Sequence, residues 1–417
     1  MDHFTHKNNI LHAEDIAVTD IAKKVGTPFY CYSVATITRH YKIFSSSFDG
    51  VDSTVCFAVK ANSNQAILKT LGDLGAGGDC VSKGEIMRCL KAGINPQKIV
   101  FSGVGKTADE MRYALKNKIL QINVESEEEL ILLNEVALSL GLKANIAFRV
   151  NPDVDAGTHD KIATGRKEDK FGISYDNILD VYKKAADMNG INVQGVATHI
   201  GSQLTSLEPF RKAFTKIKNL VLKLREDGHK ITHLDLGGGL GIPYQQQDIP
   251  SPAEYGKMVV EIFKDLGCKL AFEPGRLICG NAGILISSVL YLKKTAHRNF
   301  LVIDAAMNDL IRPTLYDAHH EIVSVDKTAR GEVTMDVVGP VCETGDVFGK
   351  NRKLPDFANN ELVAIRSCGA YGAVMSCEYN SRPLIPEVLV NGDKFAIIRK
   401  RPSLEEMIAR DSLPDWL

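Results

Sequence analysis

Lys60 closes an apolar run, Phe57-Ala58-Val59-Lys60-Ala61-Asn62. A lysine in that position is either a solvated ammonium where a strand meets a loop or an amine able to form a Schiff base. Partial desolvation favours the second, because it disfavours the charged form. Gly237-Gly238-Gly239-Leu240-Gly241 follows Leu234-Asp235-Leu236. Glycines there let backbone N–H groups approach an anion such as phosphate, or simply make a tight turn. Ser202, within His199-Ile200-Gly201-Ser202-Gln203, offers a hydroxyl to the same anion, and His199 is either a functional imidazole or a packed core histidine. In Glu273-Pro274-Gly275-Arg276 the carboxylate could keep a cofactor's pyridine nitrogen protonated, or the Glu and Arg could frame a turn. Asp79 and Arg149 each orient a cofactor or histidine, or are structural polar groups. Further on, Cys342 and Glu343 adjoin in Gly339-Pro340-Val341-Cys342-Glu343-Thr344-Gly345-Asp346, where a lone thiol is more often inert packing. Arg312 and Tyr316 in Ile311-Arg312-Pro313-Thr314-Leu315-Tyr316, and Tyr371 in Gly369-Ala370-Tyr371-Gly372, complete the polar candidates.

The elements that must position these groups alternate. Short apolar runs read as strands over Thr54–Lys60, Gly77–Ser82, Ile99–Gly103, Gln121–Glu125, Ala144–Val150, Gln194–Gly201, Thr232–Gly239 and Lys269–Arg276. Amphipathic helical stretches lie between them, with Ser82, Thr107, Ser126, Ser174 and Ser251 placed as caps. Eight strands interleaved with helices predict a (β/α)₈ TIM-like barrel rather than a doubly wound sheet. Barrel enzymes carry reacting groups at the C-terminal strand ends, and that rule gathers Lys60, Asp79, His199, Ser202, Gly237–Gly239, Glu273 and Arg276 at one mouth. After about residue 280 the runs become β-rich, with turns such as Asn391-Gly392-Asp393. The expected domains are a barrel over 30–280 and a mainly antiparallel β domain over 281–417, joined by residues 1–29. The sequence leaves open whether a loop closes over the mouth; Asp153–Lys170, rich in Gly and charge, is the candidate stretch.

Bulk properties narrow the function. With 417 residues the chain is too long for one ordinary core, and a net charge of −1 provides no field for nucleic acid or an anionic membrane. The polar start Met1–Asp15 lacks the apolar centre of a secretory signal, and the longest nearly apolar run, Ala282–Leu292, is too short to span a bilayer. Nine cysteines with no C-x-x-C pair read as reduced thiols in the cytoplasm, with no metal site implied. A small-molecule substrate is expected.

Taken in order, these motifs resemble the fold-type III pyridoxal-phosphate decarboxylases, over roughly residues 25–400. The set of Ala58-Val59-Lys60-Ala61-Asn62, His199-Ile200-Gly201-Ser202-Gln203, Gly237–Gly241, Glu273–Arg276, Arg312–Tyr316 and Pro340-Val341-Cys342-Glu343 is far more specific than any member alone. The resemblance implies an alanine-racemase-like barrel and pyridoxal 5'-phosphate carried on Lys60. It places His199 on the ring face, Glu273 at the ring nitrogen and Asp79 beside the cofactor. Ser202, Gly238, Gly239, Gly275 and Arg276 fall around the phosphate, with Tyr371 reaching phosphate or substrate. Arg276, Arg312, Tyr316 and Glu343 hold substrate and Cys342 donates a proton. It also implies a homodimer in which Cys342 and Glu343 serve the partner's cofactor.

Charge matching at the far end of the substrate favours diaminopimelate, giving L-lysine and CO₂ as the last step of lysine biosynthesis. Arg276 and Arg312 suit a distal carboxylate and Glu343 a distal ammonium. A site built for that carboxylate rejects analogues lacking it by roughly 10⁴-fold or more. Ornithine-type relatives place Asp after the reactive Cys. A decarboxylase for ornithine, arginine or carboxynorspermidine is the alternative on the same scaffold. A racemase resembles the fold but carries Arg in place of Glu273, a cofactor carrier would not need Cys342 and Glu343, and an NAD-dependent oxidoreductase needs a better glycine fingerprint.

Overall fold

The computed structural model describes residues 2–155, 164–165, 168–245, 247–328 and 330–417. Two compact units emerge: Thr38–Pro243 with Gln247–Ile278, and Met1–Ile37 with Tyr244–Gln246 and Cys279–Leu417.

The first unit is a closed barrel. Its eight parallel strands are Ser53–Ala58, Gly77–Cys80, Ile99–Phe101, Gln121–Val124, Ala144–Asn151, Ile191–Ala197, His233–Asp235 and Lys269–Phe272. Neighbours in sequence pair throughout, and the last strand closes on the first through Ala271 opposite Thr54. These strands are buried almost end to end, because helices cover one face and interior side chains fill the other. Several end earlier than their apolar runs suggest. The seventh stops at Asp235, where Gly237 turns into positive φ, and the eighth at Phe272, before Pro274, which has no N–H for the ladder.

Helix starts follow from capping chemistry. The side chains of Ser82, Thr107, Ser126 and Ser251 each accept from the backbone N–H three residues on, and Thr107–Glu110 and Ser251–Glu254 form reciprocal boxes. Ser174 does not cap a helix. It lies in the short strand Ile173–Ser174, which pairs with Val150 and Asn151, and the following helix starts only at Ile178. Pairing on the edge of the fifth strand satisfies that backbone before a helix can start. Of the proposed covering stretch Asp153–Lys170, residues 156–163 and 166–167 lie outside the described residues.

A buried ion pair braces the barrel beyond its third and fourth strands. Lys106 Nζ contacts Glu129 Oε1 at 2.7 Å, with side chains 1% and 7% exposed, and also donates to the Gly103 and Asn123 carbonyls. It ties the loops after the third and fourth strands together.

The second unit is built on a nine-strand sheet: seven strands run in the order Val347–Pro355, Glu332–Val338, Asn299–Ile303, Gly283–Lys294, Phe29–Ser33, Glu387–Asn391 and Lys394–Arg399, and Leu362–Ile365 joins the central one and carries Ile322–Ser324. Most pairings are antiparallel. Two are parallel, Asn299–Ile303 with Glu332–Val338 and Phe29–Ser33 with Glu387–Asn391. A three-stranded N-terminal sheet packs Phe4, Leu11 and Ala13 with Ile284, Ile286 and Val388 in one apolar cluster. Among the described residues no helix is long and apolar enough to cross a membrane.

Replacing Lys106 with Met leaves the Glu129 carboxylate buried without its cation. The barrel's unfolding transition should weaken by about 3–5 kcal/mol, read from the urea midpoint. An unchanged midpoint would remove the pair from the stability of the barrel.

Candidate active site

Lys60 sits in a single tight turn, Val59–Ala61, just beyond the first strand. Its Nζ lies 2.6 Å from Asp79 Oδ2, on a second-strand side chain that is fully buried. Asp79 Oδ1 is buried with no hydrogen-bond partner among the described residues. A pocket of about 170 Å³ opens here, lined by Lys60, Ser102, Arg149, His199, Asp235 and Glu273 among others.

Two further carboxyls lie at its floor. Burial raises Glu273 well above the ordinary carboxylate range, and the nearby charges of Asp235 and Asp79 add to the effect. Asp235, fully buried, is raised by the same desolvation, against hydrogen bonds from Asn123 and Glu273. Two adjacent buried carboxyls cannot both ionise, so this pair holds a proton between them. The arrangement is fixed from neighbouring strands. Asn123 Nδ2 donates to Asp235 Oδ2 at 2.8 Å and to Ser102 Oγ at 3.1 Å, and Gln121 Nε2 donates to Asn123 Oδ1 at 2.8 Å. Ser102 Oγ in turn donates to Glu273 Oε1 at 3.4 Å.

His199 follows the sixth strand. Burial, with the charges of Arg149 and Lys60, holds it well below the usual imidazole range, so the ring is neutral at pH 7. Its Nδ1 accepts from the Gly238 N–H at 3.2 Å, which places the ring proton on Nε2. Arg149 is matched by Glu125 Oε1 at 3.0 Å and lies over the Phe171 ring. Beside these, Ser202 Oγ accepts from Arg276 Nη2 at 3.1 Å. A Cβ on Gly238 would collide with the Glu273 carbonyl, and Gly239 adopts φ +109° with a Cβ position only 2.5 Å from the Gly201 carbonyl. The glycine turn is bare because the backbone has no room for a side chain.

The structure thus brings Lys60, His199 and Glu273 to one pocket, sets Asp79 behind Lys60 and joins Ser202 to Arg276 beside the glycine turn. The remaining candidates belong to the second unit. Arg312 opens the short helix Arg312–Tyr316, is buried, lies over the Tyr244 ring at 4.8 Å and contacts His320 Nε2 at 2.8 Å. Tyr371 adopts φ +55°. Cys342 and Glu343 are both exposed, the Cys342 N–H donating to Asn380 Oδ1 at 3.0 Å and the Glu343 side chain accepting from the Tyr379 hydroxyl. Asp346 shapes their loop by accepting from the Val341 and Met307 N–H groups, each at 2.7 Å.

Residues 34–280 match the family described as pyridoxal-dependent decarboxylase, pyridoxal binding domain. A diaminopimelate decarboxylase from Zymomonas mobilis is 49% identical, over 99% of this chain and 99% of its own. The chain belongs to the diaminopimelate decarboxylase family. Another member, from Vibrio cholerae, is 48% identical over 99% of each chain. The crystal structure of the M. jannaschii diaminopimelate decarboxylase, in co-complex with L-lysine, aligns with a TM-score of 0.96 at 36% identity, covering 100% of this chain and 99% of that one. The Helicobacter pylori enzyme complexed with L-lysine aligns at 0.91 and 42% identity, covering 94% and 98%.

Pyridoxal phosphate is the cofactor of this diaminopimelate decarboxylase family member, and the barrel pocket fits it. Asp79 leaves a buried acceptor atom without a donor, and Glu273 and Asp235 offer acid chemistry for a ring nitrogen. Sequence reasoning missed Ser102, Asn123, Asp235 and Asp346 as site residues. Polar Gln121 and Asn123 at alternate positions of a core strand were the available signal, since such residues share the interior face.

The raised pKa of Glu273 sets a pH dependence of stability in the cofactor-free chain. The native state keeps its proton where the unfolded state has lost it, so stability is greatest below about pH 4.5 and falls as pH rises through the raised native value. Glu273→Gln should flatten this fall between about pH 5 and 8, measured by urea unfolding of both cofactor-free proteins. Parallel pH profiles would show that Glu273 is already ionised.

Proposed function

We propose that this chain decarboxylates meso-2,6-diaminopimelate to L-lysine and CO₂ as a homodimer. The observation that carries the reading is the barrel pocket of Lys60, His199 and the Glu273–Asp235 pair, with Asp79 bonded to Lys60, in a chain 49% identical along its length to a diaminopimelate decarboxylase.

When bound, pyridoxal phosphate supplies an aldehyde and a protonated ring that accepts the electron pair left by departing CO₂. Lys60 is the amine that binds the aldehyde, with Asp79 holding its Nζ in place. Glu273 would face the ring nitrogen and hold a proton there, while Asp235, Asn123 and Ser102 hold Glu273 in position. His199, neutral and anchored by Gly238, offers a flat uncharged face to the ring. Ser202, Gly238, Gly239, Gly275 and Arg276 hold the phosphate, with Tyr371 reaching phosphate or substrate.

For the substrate, Arg276, Arg312 and Tyr316 bind the distal carboxylate and Glu343 the distal ammonium. Cys342 supplies the proton that replaces the lost carboxylate at Cα. Cys342 and Glu343 act in the site of a second copy, and their exposure in a loop held by Asp346 supports that arrangement.

Lys60→Ala should abolish both the visible absorbance of the loaded protein and CO₂ release from meso-diaminopimelate. Normal turnover by that variant would refute the assignment. Arg312→Ala should lower kcat/KM for meso-diaminopimelate by roughly 10²–10³-fold, the effect of truncating one partner of a buried charge pair. Cofactor absorbance should stay intact. Ornithine and lysine serve as controls, and release of CO₂ from ornithine at a rate matching diaminopimelate would overturn the substrate choice.

A further inference from the structure

A second cavity, of about 470 Å³, lies in the β unit and is lined by Thr314, His319, Thr344, Lys350 and Arg352 together with neighbouring backbone. Its volume falls within the range of small-molecule sites. The strand that supplies its cations is re-aimed by a bulge. Met335 pairs with Arg352 and Val337 with Gly349, so an extra residue is accommodated between them, and Asn351 takes φ +52° with its N–H donating to Asp336 Oδ1 at 2.7 Å. Arg352 folds back across Gly349, where a Cβ would meet its Nε.

The charge on Arg352 is not matched. Among the described residues no carboxylate lies within ion-pair distance of its guanidinium, and its Nε is buried without a hydrogen-bond partner. Its terminal nitrogens reach His319 Nε2 at 3.2 Å, His319 Nδ1 at 2.9 Å and the His320 carbonyl at 3.4 Å. A neutral imidazole has one acceptor nitrogen, so at most one of the two His319 contacts is a hydrogen bond. Burial pushes Arg352 below its usual range and, with the Arg352 charge, pushes His319 down as well. A half-buried guanidinium without a counter-ion, beside the Lys350 ammonium, is a vacancy for an anion. Asp317, exposed, is the one carboxylate among the lining residues, so the cations outnumber it.

We infer that this cavity is a binding site for a small molecule carrying a carboxylate or phosphate group, with Arg352 as its fork and Lys350 as its second cation. Neither Arg352 nor Lys350 carries an assignment for substrate or cofactor, and the cavity borders the helix Arg312–Tyr316 through Thr314 and the Glu343 loop through Gly345.

The test is calorimetric titration of the cofactor-loaded enzyme with inorganic phosphate and, separately, with succinate, at low and moderate ionic strength. Saturable binding of either anion, weakened by salt, is expected, and the stronger of the two identifies the oxyanion. Arg352→Gln should weaken it by roughly tenfold or more, the loss of one charge-assisted contact. Lys350→Ala, an exposed change that leaves packing untouched, should weaken it severalfold and decides the matter if Arg352→Gln does not fold. Absence of binding by both anions, or binding equal in wild type and variants, overturns the inference.

Discussion

Four ionisable groups meet at the floor and wall of the barrel mouth, and the balance among them constrains everything else there. Among the described residues, Lys60 is the cation that faces Asp79 and Glu273, while Arg149 is matched by Glu125. Three buried carboxyls around one ammonium cannot all be charged, so a proton is retained by Glu273 and Asp235, and the neighbouring His199 stays neutral. The site is therefore acidic and short of one positive charge. A cationic ring nitrogen corrects that imbalance. Recognition of the cofactor and activation of its ring follow from the same deficit.

Holding carboxyls this close to one another requires a rigid frame. Gln121, Asn123 and Ser102, on the fourth strand and just after the third, span the barrel interior by hydrogen bonds to Asp235 and Glu273. The buried Lys106–Glu129 pair fastens the loops above those strands. In the β unit, Asp346 performs the equivalent service with its two short bonds to backbone N–H groups, leaving Cys342 and Glu343 exposed. Precision in both units comes from side chains whose hydrogen bonds fix other side chains and backbone in place.

Much of this was legible before any coordinates. The eight parallel strands announced themselves because they are buried on both faces and read as continuous apolar runs, and Lys60, His199 and Glu273 fell at their ends. The residues that brace the site were harder to read. Asp235 was passed over inside Leu234-Asp235-Leu236, since a polar residue between leucines gives no indication of which partner satisfies it. Asn123 and Ser102 depend on contacts between strands distant in sequence. Ser174 looked like a cap because local chemistry permitted it, and tertiary strand pairing prevailed. The cavity at Arg352 left no sequence trace, because a one-residue bulge decides where that side chain goes.

The strand Phe29–Ser33 is flanked by Gly283–Lys294 on one side and Glu387–Asn391 on the other. Both partners leave the ribosome only after the entire barrel has been synthesised. The earliest-made strand of this sheet thus remains without its sheet neighbours while the barrel is synthesised, presenting unpaired backbone edges to whatever chain is nearby. The barrel, drawn largely from one uninterrupted stretch, can close while that strand waits, so the strand is made before the barrel and seated after it.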